Sequence, residues 1–228
     1  MAVARAATSN GDGRQAQRRR EEVLQTAAEM FLANGYDATS TRDIAERLGM
    51  LKGSLYYYVD SKDDLLYEVI KDVYDRGEAR LQAVLDGPGT PLEKLRLLIE
   101  GHLVNLTENL TATALLLHEH RRLSAERRRL VDEKQAEYRD AVVNLIAQGQ
   151  RDGLVREDVD PDVATFVLLG ALNWTYRWYR PDGEKDAAEV ARQFAEVLLS
   201  GLAKDPAGSR AATGGGRRRS RPGAQNAR

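Results

Sequence analysis

Two stretches too short to stay helical by themselves in water meet at Gly49, and only burial against neighbouring helices makes such a pair stable. In the first, Ser40 or Thr41 stands where an N-cap belongs, and Asp43 and Glu46 fall in the opening turns. Ile44, Ala45 and Leu48 give it one apolar stripe. Gly49 ends it, with the backbone freedom a turn needs. The second runs from Lys52 to about Tyr58. Leu55 and Val59 sit one turn apart and face a core, which leaves Lys52, Gly53, Ser54, Tyr56 and Tyr57 on the other faces. Two short helices about a glycine turn predict a helix-turn-helix.

The chemistry of the second stretch separates two readings. A three-helix bundle with aromatic surface residues is the plain one. However, Tyr56, Tyr57 and Tyr58 cannot all be buried in a two-turn helix. Exposed phenols beside Lys52 suit a phosphate backbone, because tyrosine hydroxyls and lysine both donate to phosphate oxygens. Gly53 allows close approach to base edges, and Ser54 can bond to several bases. Ser61 and Lys62 open the next helix, whose first amides form a phosphate site, and Thr41 and Arg42 do the same one helix earlier.

The rest of the chain reads as successive helices, with no strand and no internal repeat. Val23, Leu24, Ala27, Ala28, Phe31 and Leu32 follow helical spacing from about Gln15 to Ala33, and Asn34-Gly35 stops it. Asp63 and Asp64 favour a longer helix after Ser61. Gly87-Pro88-Gly89 is a break, Thr90-Pro91 a start, and Thr111 and Ser124 are candidate caps. Asp152-Gly153 ends a charged helix, and Asp160-Pro161 opens one running to Arg180. A last helix is expected from Lys185 to Ala203. Residues 1–13 and 205–228 lack periodicity and are expected to be disordered, the latter as a basic tail.

With no cysteine among 228 residues, disulfides and thiolate chemistry are excluded. No apolar run approaches the roughly 20 residues that span a bilayer, and a cytoplasmic protein without a membrane partner is expected. The formal charge of −1 does not by itself announce a nucleic-acid partner. Arg18, Arg19 and Arg20 lead into the first helix and are candidates for backbone or minor-groove contacts, as well as for an ordinary solvated face.

The stretch Thr41-Arg42-Asp43-Ile44-Ala45-Glu46-Arg47-Leu48-Gly49, then Lys52-Gly53-Ser54-Leu55-Tyr56 and Ser61-Lys62-Asp63-Asp64-Leu65, closely resembles the tetracycline-repressor (TetR) DNA-binding domain. Ala27 to Phe31 and Asn34-Gly35-Tyr36 resemble that family's first helix. The resemblance implies an all-α fold: an N-terminal three-helix helix-turn-helix DNA-binding domain at 14–62 and a larger ligand-binding and dimerisation domain at 63–204. It also implies a homodimer on a near-palindromic double-stranded operator, and repression relieved by a small-molecule effector. Symmetry would set the two recognition helices about 34–36 Å apart, one turn of B-DNA. Thr41, Arg42, Leu51, Lys52, Gly53, Ser54, Tyr56, Tyr57 and Lys62 are the candidate DNA-binding residues. Leu51 departs from the family, where many members carry Ser or Thr.

After about Asp86 there is no catalytic pattern, so no enzyme, metal or cofactor is expected. His118 and His120 are two residues apart and do not share a helix face. Trp174 and Trp178 do share one, and Asn173 and Arg177 lie beside them. Such a stripe serves a core, a dimer interface or a ligand. Leu168, Leu169, Val190, Phe194, Val197 and Leu198 are candidates for the apolar interface. Trp-x-x-x-Trp-Tyr-x-Pro-x-Gly, with His-Glu-x-Arg-Arg-Leu at 118–123, resembles TetR members answering acyl-CoA thioesters of fatty-acid, aromatic-acid or steroid breakdown. This implies ligand contacts at Leu103, Leu106, Leu116, Arg122, Asn173, Trp174, Arg177 and Trp178. Leu115 and Arg121 are further candidates. The alternative is a same-fold regulator of drug efflux, whose aromatic or cationic ligand would need a cavity lined with Asp or Glu and no Arg.

Overall fold

The computed structural model describes residues 3–204, with side chains from residue 14 onward. Their regular structure is helical: α1 (Val3–Asn34), α2 (Thr41–Arg47), α3 (Lys52–Leu55), α4 (Lys62–Asp86), α5 (Pro91–Glu108), α6 (Leu110–Glu119), α7 (Ala125–Arg151), α8 (Pro161–Trp178) and α9 (Ala187–Ser200). A 3-10 turn, His120–Arg122, joins α6 to α7. An isolated antiparallel bridge between Val155 and Ala203 ties the α7–α8 loop to the end of α9.

Local chemistry fixes most starts and stops. Ser40 and Thr90 each form a reciprocal capping box, with Asp43 and Glu93 respectively. Ser61, Asp160 and Asp186 cap α4, α8 and α9 through single side-chain bonds. Each such cap stabilises its helix by about 1 kcal/mol. Gly49 sits at φ +63°, where a side chain would be strained, so the turn between α2 and α3 requires it.

Several boundaries differ from the sequence expectation. Helix α1 begins at Val3, so residues 3–13 are helical rather than disordered. Helix α3 is a single turn, and Tyr56 to Tyr58 continue as a turn. Thr111 lies inside α6, because Asn109 takes the cap position without a side-chain bond. Ser124 precedes α7 without capping it; its N–H instead donates to Asp63 Oδ1 at 2.9 Å. Helix α8 stops at Trp178, and Tyr179 turns its ring into the core. The basic tail at 205–228 lies outside the described residues.

Two apolar cores organise the molecule. One gathers α1 to α3 with the first half of α4, and Leu115, Leu116, Leu123 and Val131 from the α6–α7 region close it. The other joins α5, α7, α8 and α9 with Leu81 of α4. Helix α4 therefore passes without interruption from the helix-turn-helix into the larger bundle. The pairing of α5 with α9 is the most extensive helix contact in the bundle.

Candidate nucleic-acid interface and cavity

Leu55 and Val59 are buried, as their spacing requires, and they anchor the turn from α3 to α4 in the first core. That anchorage leaves Leu51, Lys52, Gly53, Ser54, Tyr56 and Tyr57 exposed, with Tyr57 at 92 % and Leu51 at 80 %. An apolar side chain and a phenol so exposed add little to the core, which leaves both accessible to a partner. Thr41 at the start of α2 meets Tyr56, with 3.5 Å between the two hydroxyls. Lys52 places its ammonium 5.8 Å from the Tyr56 ring. The Thr41 hydroxyl, helped by Lys52, lowers the Tyr56 pKa, which makes that phenol a stronger donor. Arg42 is exposed and paired with Glu46 on its own helix.

Lys62 departs from this group. Its ammonium lies 4.2 Å from the Tyr36 ring centre and donates to the Asp37 carbonyl at 3.3 Å, so it also ties the α1–α2 loop to α4. Of the arginine run, Arg19 donates to the Leu48 carbonyl and Arg20 pairs with Glu68, so both fasten α1 to its own domain. Arg18 is exposed.

A cavity of about 450 Å³ lies between α4, α5, α6, α7 and α8. It brings together Leu106, Leu116 and Asn173 of the expected ligand residues. The others lie elsewhere. Leu103 is fully buried in the second core, and Leu115 is buried in the first. Arg122 is a surface residue held by Asp37 and Glu119, and Arg121 is exposed. Trp174 is 62 % exposed with Arg177 over its ring, and Trp178 stacks on Phe194, all outside the cavity. The face carrying these tryptophans is the outer face of α8, where Val163, Phe166 and Val167 are also exposed. Leu168 and Val190, expected on that face, are buried in the second core, whereas Val197 is indeed exposed.

The period of the sequence did not single out the polar part of the cavity wall. Its residues are His102, Asn105, Tyr138 and Tyr74, with Glu78 and Lys134 paired at one edge. Burial lowers the pKa of His102 and raises those of Tyr74 and Tyr138, so all three are uncharged near neutrality. The signal in the sequence was a histidine and two tyrosines at inward-facing positions of their helices. No helix among the described residues is long and apolar enough to cross a membrane.

Links between cavity and DNA face run along α4. Arg127 at the start of α7 holds Asp64 at 2.5 Å and Asp63 at 3.4 Å in the first turn of α4. The same first turn follows directly on the exposed tyrosines. Farther along, Val73, Tyr74, Gly77 and Leu81 of α4 line the cavity.

Comparison with known proteins agrees with this geometry. Residues 23–69 match the family described as bacterial regulatory proteins, tetR family, and residues 88–202 match a tetracyclin repressor-like C-terminal domain. The HTH-type transcriptional repressor KstR2 of Mycolicibacterium smegmatis is 34% identical over 185 residues, covering 81% of this chain and 90% of that protein. The structure of ketosteroid transcriptional regulator KstR2 of Mycobacterium tuberculosis is 31% identical, with a TM-score of 0.78, over 82% of this chain and 96% of that one. AibR in complex with isovaleryl coenzyme A and operator DNA is 31% identical, with a TM-score of 0.70, over 79% of this chain and 97% of that one. With a helix-turn-helix followed by a cavity-bearing helical domain, and with both parts matched, this chain belongs to the TetR family of DNA-binding transcriptional regulators.

Proposed function

We propose that the chain is a homodimeric repressor that holds a near-palindromic operator through α2 and α3 and releases it when a coenzyme A thioester enters the cavity. The observation that carries this reading is the continuity of α4. One face of this helix forms the cavity wall, and its first turn supports the recognition element. The exposed Val163, Phe166, Val167 and Trp174 on α8, with Val197 on α9, form the dimer interface. Exposed Leu51, Lys52, Gly53, Ser54, Tyr56 and Tyr57, with Thr41 and Arg42, make the DNA contacts.

The cavity volume suits an acyl group but not a whole coenzyme A, whose nucleotide would remain outside it. AibR, a relative of similar fold, was crystallised with isovaleryl coenzyme A, which supports the ligand class. A cationic drug is disfavoured, because the carboxylates of Glu78 and Glu137 are accompanied in the wall by Lys134 and Arg139.

The test is fluorescence anisotropy of labelled DNA from upstream of the protein's own gene. The dimer binds it without effector, and saturating medium- or long-chain acyl-CoA releases it. Operator affinity unchanged by every acyl-CoA tried would refute the ligand class, and no binding to any such DNA would refute the repressor.

A further inference from the structure

Three residues from three helices form one hydrogen-bonded chain in the cavity wall: Tyr138 on α7, His102 on α5 and Asn173 on α8. The Tyr138 hydroxyl lies 3.3 Å from His102 Nδ1, and His102 Nε2 lies 3.1 Å from Asn173 Oδ1. An amide oxygen only accepts, so Nε2 must carry a proton. Burial disfavours the imidazolium, so the ring is neutral and holds that proton alone. Nδ1 is then an acceptor, and the Tyr138 hydroxyl donates to it. Donation runs in one direction, from Tyr138 through His102 to the oxygen of Asn173. The Asn173 Nδ2 amide has no protein partner among the described residues, and Asn173 borders the cavity. Its N–H groups are therefore available to whatever fills the space.

The surroundings say what that should be. Gly170, on the same helix as Asn173, is an exposed member of the cavity wall, whereas Leu106, Leu116 and Leu117 form an apolar interior. A ligand with its tail among the leucines and its polar head at the opening passes Asn173 at the junction. We propose that Asn173 donates a hydrogen bond to the thioester carbonyl oxygen of the bound acyl-CoA, with His102 and Tyr138 as positioning residues that turn the amide toward it. This rests on the coenzyme A thioester reading above. A site built around a donor rejects a ligand of equal shape that lacks the acceptor, because the buried N–H is then left unpaired.

The experiment is calorimetric titration of the full-length dimer with decanoyl-CoA and with S-decyl-CoA, a thioether differing only by the carbonyl. The same comparison is made with S-ethyl thiooctanoate and ethyl octyl sulfide, which lack coenzyme A. Wild type should bind each thioester about tenfold more tightly than its thioether, the usual effect of one hydrogen bond. Asn173→Leu should erase the preference while keeping thioether affinity. Tyr138→Phe, which removes one oxygen and keeps the ring, should reduce the preference. In nitrogen-15 NMR it should shift the His102 Nδ1 resonance, which loses its donor, while Nε2 keeps its proton toward Asn173. A purely structural role would weaken both ligands of a pair equally and leave the preference intact. Equal affinity for thioester and thioether in wild type overturns the proposal and leaves the coenzyme A reading standing. Preference within the small pair, with no binding of either coenzyme A compound, overturns the coenzyme A reading and leaves Asn173 only as a donor to a carbonyl of some other ligand. No binding of any of the four overturns both.

Discussion

Replacing Lys52 by alanine separates DNA recognition from folding more cleanly than any other change. Lys52 opens α3, is exposed, and among the described residues meets Tyr56, with its ammonium 5.8 Å from the ring. An exposed cation–π contact at that distance contributes about 0.5 kcal/mol, so the melting temperature should move by roughly 2 °C or less. The effect on DNA should be far larger. Each phosphate neutralised releases condensed counterions, and the slope of log affinity against log salt is about −0.9 per contact. A dimer carries two copies of Lys52, so removing both should flatten the slope by about 1.8. At 0.15 M salt that counterion release is worth about 1 kcal/mol for each half-site, or roughly fivefold per contact. The assay is operator anisotropy at four or five salt concentrations, with gel filtration to confirm the dimer. A folded, dimeric Lys52→Ala protein with wild-type affinity and an unchanged slope would refute the assignment of α3 as the recognition element.

Phe166→Glu places a charge on the exposed apolar face of α8 and should yield a folded monomer by light scattering, with operator binding lost; a dimer of wild-type stability would refute that interface. Gly149→Ala should cost about 1 to 3 kcal/mol in a denaturant melt, because the added Cβ would come within 2.5 Å of Val155 Cγ2 in a packed loop. A neutral result there would mean that the α7–α8 loop is looser than its contacts imply. Arg127→Ala should cost about 2 kcal/mol, the usual worth of a hydrogen bond to a charged group, since its pair with Asp64 is mostly shielded from solvent. Asp64 keeps the Asp60 N–H and Asp63 keeps the Ser124 N–H, so the larger penalty of an orphaned buried charge does not apply. Thermal melts would read this as a fall of roughly 4 to 8 °C, and no fall would refute the clamp.

The helix-turn-helix was legible in the sequence because its function demands residues that the fold does not. Tyr57 and Leu51 stand out on an exposed turn, and Gly49 marks a positive φ. The cavity was not legible for the opposite reason. Leu103 and Leu106 are three residues apart on the inward face of α5, yet only Leu106 borders the cavity. Helical period tells which side chains face inward, not which inward ones meet a void. The tryptophans stayed ambiguous between core, dimer interface and ligand, and the structure sets Trp174 on the outer face of α8, away from the cavity wall. Arg122 looked like an anion contact and proved to hold the α1–α2 loop through Asp37. His102 carried the strongest hidden signal, since a histidine at an inward position of α5 needs partners for both ring nitrogens, and only α7 and α8 together supply them.

A ligand in this cavity must act at a distance on α3, and the packing indicates how. Helix α4 is 25 residues of unbroken helix, so displacement of its cavity-lining half is carried to its first turn instead of being absorbed. The first turn cannot slide alone, because Arg127 and the Ser124 amide hold Asp63 and Asp64 to the start of α7. Helices α4 and α7 thus move together where they meet below the DNA face, and α7 carries Tyr138 and Lys134 in the cavity wall. Both ends of the linkage therefore see the ligand. Turning a dimer from almost wholly bound to almost wholly released needs a preference of about 5.5 kcal/mol for the released state. Two cavities share that demand in a symmetric dimer, so each ligand need supply only about half of it. That share is within reach of a few methylenes buried only in the released state, at about 0.8 kcal/mol each, together with one carbonyl hydrogen bond made only there. It follows that short acyl groups should bind yet release DNA poorly, since the carbonyl contact alone falls short of the share each site must provide.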